Sequence, residues 1–484
     1  MNKILFVASE ASPFIKTGGL ADVMYALPKI LVKEGMDARI ILPLYGKIKM
    51  ENQEYLEFVK DFSITLNWRV KHVGLFKIVN ENVTYYFIDN EFYFNRGEIY
   101  NSYGKDDEGE KYAYFNKAVL ESIKYMDFKP DIIHLNGWHT GMIPLIYNEK
   151  YKKSTEYCCM KFVYTIHNLK YQGVFNSNLL TDLLEIDSSY LNSDDIEFYN
   201  QINFMKAGIS FSDVVTTVSE TYANEIAFPY YGEKLDGVLR KNKFKLKGII
   251  NGIDYDENNP EKDKLIYNNY NSENYQKEKV KNKLLLQKQM GLKQDENIPM
   301  IGIVSRLTEM KGFDIIRHIF EELISYDIQF VLVGNGEENI ENSFRYFENK
   351  YPDKVRSNIM FSNELAHKIY SAADIYLMPS KFEPCGLSQL IALRYGTIPV
   401  VRETGGLNDT VEPYDIYNNT GNGFTFKNYN AHELLFSIQK ALSLYDDKEK
   451  WNQMIYRAMI SDNSWKKSAK EYIKIYKELI DINS

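Results

Sequence analysis

The chain has 484 residues, 44% apolar and 26% charged, with 58 lysines and arginines against 66 aspartates and glutamates, a formal net charge of −8. That length exceeds one ordinary hydrophobic core and predicts two domains of roughly 240 residues each. Mild acidity spread along the chain argues against nucleic acid or an anionic membrane as the main partner. The three cysteines, Cys158, Cys159 and Cys385, build neither a disulfide framework nor a zinc site, which predicts a reducing, cytoplasmic setting. The opening MNKILFVASE is too short an apolar run for a secretory signal, and no run of about 20 apolar residues occurs, so no membrane span is expected.

In chain order, KILFVAS (3–9) reads as a buried parallel strand. A Lys-Thr-Gly-Gly loop follows, and then Leu20, Val23, Met24, Leu27, Ile30 and Leu31 at helical spacing, with Pro28 expected to kink the helix and Gly35 to close it. ARIILPLY (38–45) completes a β-α-β unit. DIIHL (131–135), KFVYTIH (161–167) and DVVTTVS (213–219) are further strands. A second series starts with KGIING (247–252) and continues through MIGIVSR (300–306), QFVLVG (329–334), NIMF (358–361), DIYLMPS (374–380) and TIPVVRE (397–403). Strands alternating with helical patterns predict two Rossmann-like, doubly wound α/β domains in tandem. The expected boundaries are 1–247, 248–455 and a C-terminal amphipathic helix, 456–484, that packs back on the first domain. The Asn/Lys/Tyr-rich stretch 257–283 reads as a solvated insertion, helical in its later part.

Open parallel sheets bind ligands beyond the carboxyl ends of their strands. Unusual polar residues gather there: Lys16 with Gly18 and Gly19, His134 and Asn136, His167, Arg306 with Lys311, Gly334, Phe361, Glu383, and Gly405 with Gly406. If the domains face each other, these rims line one central cleft. Thr-Gly-Gly-Leu-x-Asp occurs twice, as TGGLAD after Lys16 and TGGLND after Glu403. A Gly-Gly turn opening a helix is common by itself. A lysine beside free helix N–H groups suits a phosphate, whereas a glutamate there does not, so the second copy is expected to shape the cleft near sugar or acceptor.

In SRLTEMKG (305–312) an arginine fork and a lysine follow a buried strand, an anion-binding pair. SKFEPCGLSQLIALRYG (380–396) sets the carboxylate of Glu383 just before an apolar helix, beside backbone donors at Gly386, Leu387 and Ser388. His167 ends a strand apolar enough for a core histidine, but the polar NLKYQG after it favours the rim. His134 and His139 lack the spacing of a zinc helix, and no Walker or G-x-G-x-x-G pattern occurs. No metal or cofactor is expected.

With ASEASPFIKTGGLADV, GWHTG, YTIHNLKYQG, DGVL, NGID, VSRLTEMKG, the FEPCGL block and GNGFTF, the chain resembles, essentially end to end, the bacterial glycogen synthase and plant starch synthase family. The resemblance implies the GT-B architecture and metal-independent transfer of glucose from ADP-glucose to the non-reducing end of an α-1,4-glucan such as glycogen, with retention. Lys16, Arg306 and Lys311 would neutralise the diphosphate, joined by backbone donors at Gly386–Ser388. Glu383 would bind glucose hydroxyls, and His167 would orient the glucose and assist at the anomeric centre. Phe361 falls where the family stacks a tyrosine on the base. Gly18, Gly19, Asp22, Asn251 and Cys385 complete the implied binding set. The leaving phosphate would accept the nucleophile's proton, with no covalent intermediate.

Three residues depart from the family pattern. Gly137 stands where the family has an aspartate lining the cleft, Met360 replaces a glycine beside the stacking aromatic, and Asn258 stands where a tryptophan is usual. Two alternatives stay open: a related transferase with another sugar nucleotide or acceptor, and a glucan-binding relative impaired in catalysis. Ile391, where many such transferases carry a second glutamate, speaks against the first. Retention of the whole cationic set speaks against the second.

Overall fold

The computed structural model describes residues 2–97, 99–100 and 105–481. The chain divides into two compact units, Met1–Ile249 with Ser468–Ser484, and Ile250–Lys467.

The first unit contains strands β1 (Lys3–Val7), β2 (Asp37–Pro43), β3 (Glu57–Leu66), β4 (Arg69–Asn80), β5 (Val83–Asp89), β6 (Ile132–Asn136), β7 (Lys161–Ile166), β8 (Val174–Asn176), β9 (Glu197–Phe198), β10 (Gln201–Asn203), β11 (Val214–Thr217) and β12 (Leu246–Gly248). Nine of them form one sheet in the order β12-β11-β7-β6-β1-β2-β5-β4-β3. From β12 to β5 the pairing is parallel, and β3, β4 and β5 add an antiparallel meander. Buried apolar runs such as Ile4–Val7 fill the centre, as strands covered on both faces require. Strand β1 lies between β2 and β6, where the winding direction reverses, so its carboxyl end is the topological switch point. The Lys-Thr-Gly-Gly loop starts there and leads into the helix Gly19–Lys33, one continuous element that includes Pro28.

The second unit carries β13 (Met300–Val304), β14 (Gln329–Val333), β15 (Val355–Asn358), β16 (Ile375–Met378), β17 (Ile398–Arg402) and β18 (Phe424–Phe426) in the order β15-β14-β13-β16-β17-β18, parallel throughout. Its switch point is β13, whose carboxyl end leads directly to Arg306 and Lys311.

Two expectations need correction. The segment KGIING does not open the second series, because Leu246–Gly248 pairs in parallel with β11 as an edge strand of the first sheet. The stretch before residue 290 is not a solvated insertion either. The helix Tyr275–Met290 turns Lys279, Asn282, Lys283 and Gln287 inward. Lys279 Nζ donates to Thr397 Oγ1 (2.7 Å) and to the carbonyls of Ser371 (3.1 Å) and Tyr395 (3.3 Å), while burial pulls its pKa down to about 7. Lys283 pairs with Asp374 at 2.7 Å, and the same carboxylate accepts from Met300 N at the start of β13 (2.8 Å). Buried polar groups survive only when matched in this way, and the lysine stems supply the apolar packing.

His134, expected at the rim, lies within the first unit's core. Its Nδ1 meets Tyr476 Oη at 2.7 Å, on the helix Trp465–Asp481, and its Nε2 meets Thr165 Oγ1 at 2.6 Å. Burial lowers its pKa to about 3, so the ring is neutral and structural. Among the described residues no helix is long and apolar enough to cross a membrane.

Candidate functional site

In the first unit the site begins with Glu10, whose carboxylate is 3% exposed and accepts from Thr17 N (2.5 Å) and Thr17 Oγ1 (2.7 Å). Burial holds its pKa above the usual carboxylate range, although Thr17 and Gly18 donors pull it back. Donors expected to be free for a ligand anion are therefore partly taken by the protein's own carboxylate. Sequence reasoning missed Glu10, and its position just after the strand, seven residues before Thr17, was the available signal. Lys16 projects outward and pairs with Asp22 at 2.6 Å, with half of its side chain exposed. Such an exposed pair contributes about 0–1 kcal/mol, so an incoming anion can displace Asp22 from the ammonium.

His167 follows β7 directly, with its Nε2 at 3.0 Å from Asn136 Oδ1. The Asn136 amide is oriented by its Nδ2, which donates to His134 O (3.0 Å) and Val7 O (3.3 Å). Its oxygen must therefore face His167, which places the proton on Nε2 and leaves a lone pair on Nδ1. Burial lowers the His167 pKa to about 4, so the ring is neutral at pH 7.

Gly137 sits between Asn136 and Trp138 with φ 72° and ψ 175°, a region open essentially to glycine alone. An added Cβ has room, meeting only His139 Nδ1 at 3.5 Å, so the backbone conformation and not crowding demands glycine. Restoring the family residue with Gly137→Asp is expected to destabilise the protein by about 1–3 kcal/mol. A lower midpoint in a thermal melt checks this, and an unchanged midpoint would contradict it.

In the second unit, Gly312 adopts φ 82° and lies so near Pro379 that a Cβ would stand 2.1 Å from its carbonyl oxygen. Lys381 N donates to Met310 O at 2.9 Å. This docking brings Lys311 Nζ to 2.6 Å from Glu383 Oε2, which also accepts from Ser380 Oγ at 3.0 Å. Glu383 is 7% exposed. Arg306 is exposed and makes no side-chain hydrogen bond or ion pair with any described residue. Arg306, Lys311, Ser380 and Ser388 line a cavity of about 150 Å³. The helix Ser388–Arg394 has no side-chain cap, which leaves its first donors available.

The second Gly-Gly pair serves this carboxylate segment. A Cβ on Gly405 would lie 2.0 Å from Glu383 O, and one on Gly406 would lie 2.0 Å from Cys385 O. Gly406 N donates to Glu383 O (3.2 Å) and Pro384 O (3.1 Å). Glu403 is tied to Thr425 Oγ1 at 2.7 Å. Cys385 is buried, its thiol pushed up to about 12 by desolvation, with Sγ facing the backbone N–H of Asn251. Asn251 Oδ1 is buried with no donor among the described residues. Phe361 stands 87% exposed just past β15, beside exposed Met360. Among the described residues no three His, Cys, Asp or Glu side chains cluster as metal ligands.

Residues 3–241 match the family model described as the starch synthase catalytic domain, and residues 287–458 match that of glycosyl transferases group 1. The chain is 52% identical over 480 residues to the glycogen synthase of Clostridioides difficile (strain 630), covering 99% of this chain and 100% of that one. It is also 52% identical over 478 residues to the glycogen synthase of Clostridium perfringens (strain 13 / Type A), covering 99% and 98%. The solved catalytic domain of starch synthase IV from Arabidopsis thaliana, bound to ADP and acarbose, superposes with a TM-score of 0.90 at 32% identity over 99% of both chains. Sucrose-phosphate synthase from Thermosynechococcus elongatus, at 16% identity and a TM-score of 0.60 over both full chains, shares the fold alone. The chain belongs to the starch and glycogen synthase family of glucosyltransferases and has the GT-B fold.

Proposed function

We propose that the protein is a glycogen synthase that transfers glucose from ADP-glucose to the non-reducing end of an α-1,4-glucan, with retention and without a metal, in the cytoplasm. The observation that carries the reading is the Lys311–Glu383–Ser380 cluster beside an arginine whose side chain has no partner among the described residues. Arg306 offers a planar fork to the diphosphate, Lys311 a point charge and the Gly386–Ser388 segment backbone donors. Lys16 of the first unit offers a cation to a phosphate, once released from Asp22. As the glycosidic bond to phosphate breaks, these charges stabilise the departing oxygen, and a phosphate oxygen takes the acceptor hydroxyl's proton. Glu383 accepts from glucose hydroxyls, and Asn251 Oδ1 gains the donor it lacks. Phe361 provides an exposed face for the base. Glu10 touches no reacting atom in this scheme and acts as a positioning residue for the Lys16 loop.

His167 contributes its Nδ1 lone pair, an acceptor for a sugar hydroxyl near the anomeric carbon. Its pKa is depressed from the ordinary ~6.5 to about 4, so this lone pair is present throughout the neutral range and lost only as pH falls toward 4. A plot of kcat against pH is therefore expected to show no histidine inflection between about pH 5.5 and 8. An acid limb centred near 6.5 that disappears in His167→Ala would contradict this assignment.

Incubating the protein with glycogen and either ADP-glucose or UDP-glucose, and counting glucose entering the polymer, tests the reading. Transfer is expected with both present in one sample or with ADP-glucose alone, and faster from ADP-glucose than from UDP-glucose. Absence of transfer from either donor would overturn it.

A further inference from the structure

Gly386 and Leu387 lie in a loop ahead of the helix Ser388–Arg394, so no regular element dictates where their N–H groups point. Neither N–H donates to a described residue. Gly386 has φ 74°, and Leu387 follows at φ −111° and ψ −31°. A left-handed residue followed by a right-handed one turns successive N–H groups to one side, which makes a concavity for an anion.

Gln389, fully buried, grips the back of this loop. Its Nε2 donates to Gly386 O (3.0 Å), Cys385 O (3.1 Å) and Thr410 Oγ1 (3.2 Å). Thr410 Oγ1 gives its own hydrogen to Gly406 O at 2.6 Å, so toward the amide it is an acceptor. Facing these acceptors, only the nitrogen end of the amide fits. The amide lies so close to Gly386 that a Cβ there would stand 2.3 Å from Oε1. That Oε1 is buried with no donor among the described residues. An unpaired buried acceptor costs stability, and a rule broken in this way is expected where function demands it.

Peptide planarity carries the effect to the other side of the loop. In a trans peptide the C=O and the following N–H point in opposite directions. By drawing the carbonyls of Cys385 and Gly386 toward itself, Gln389 turns the N–H groups of Gly386 and Leu387 away from itself. The next residue, Ser388, lines the cavity shared with Arg306 and Lys311. We propose that Gln389 is a positioning residue for the sugar-nucleotide donor, which holds two backbone N–H groups ready for its diphosphate. The identity of that anion rests on the function proposed above. Without the amide, the two peptides can rotate and present carbonyl oxygens, which repel a phosphate. Donors fixed in advance avoid that rearrangement on binding.

The test uses the full chain and two variants. Gln389→Met keeps the length of the side chain and has no donor, and Gln389→Glu offers at most one hydrogen for two carbonyls. Inhibition constants for ADP and for adenosine, which has no phosphate, are measured against ADP-glucose. In both variants the ADP constant is expected to rise by about tenfold to a hundredfold, while that for adenosine stays within about twofold. A purely structural role would lower the melting temperature without separating the two ligands. Wild-type ADP inhibition in both variants, or equal losses for ADP and adenosine, would overturn the positioning role, with transfer by the wild type leaving the proposed activity intact. If the wild type bound ADP but transferred no glucose, and the variants lost ADP selectively, the positioning role would stand and the activity would fall.

Discussion

Glu383→Gln is expected to lower kcat by about a hundredfold to a thousandfold, the range observed when one preorganised charged contact at a reacting centre is removed. The substitution keeps the shape of the side chain and an oxygen for Ser380. It removes the charge that Lys311 faces at 2.6 Å inside a site where Glu383 is 7% exposed. Two consequences add up. Glucose loses a charged acceptor, and the Lys311 ammonium is no longer held in the position from which it meets the diphosphate. Because Arg306 and the backbone donors of Gly386–Ser388 still bind the nucleotide, and the displaced Lys311 charge matters most as the phosphate departs, the loss is expected mainly in kcat, with KM for ADP-glucose changed by less than about threefold. Steady-state kinetics on purified protein checks this, and a variant with wild-type kcat would remove Glu383 from the mechanism.

Arg306→Ala is expected to reduce kcat/KM by a comparable factor, about a hundredfold to a thousandfold, for a different reason. The guanidinium is exposed and makes no side-chain bond to any described residue, so its removal leaves no buried partner behind. Its loss should therefore leave the melting temperature unchanged while activity collapses. Arg306→Lys keeps a positive charge but not the bidentate fork, and is expected to recover only part of the loss. Equal destabilisation and inactivation in Arg306→Ala would instead assign the residue a structural role.

The two Thr-Gly-Gly-Leu loops show where sequence reading reached and where it stopped. Both open a helix after a parallel strand, and this was legible because the strands are continuous apolar runs and Gly-Gly punctuates them. Lys16, the residue that distinguishes the first copy, projects outward and pairs with Asp22, and the nearby Thr17 donors are occupied by Glu10, a fit that no local pattern reveals. The second copy seats the backbone of Glu383 and Cys385 against glycines that admit no Cβ, a contact with a segment some twenty residues earlier. Spacing gives no hint of such a close approach.

Charge counting misled at the helix Tyr275–Met290, where lysines look solvated until Asp374 and the carbonyls of Ser371 and Tyr395 come into reach. The antiparallel strands β3–β5 were not anticipated either. Most of β3 is exposed at the sheet edge, so it lacks the buried runs that mark the parallel strands. His134 lies in the middle of β6 and His167 just beyond β7, and only packing separates the core ring held by Tyr476 from the ring beside Asn136.

The central claim is tested most directly by where the transferred glucose goes. Labelled ADP-glucose is supplied with glycogen, and the labelled polymer is then digested with β-amylase, which releases maltose from the non-reducing ends of α-1,4 chains. The account predicts incorporation of label that is released as maltose, and the loss of that incorporation in Glu383→Gln. A polymer that gains no label, or one whose label resists β-amylase, would contradict it.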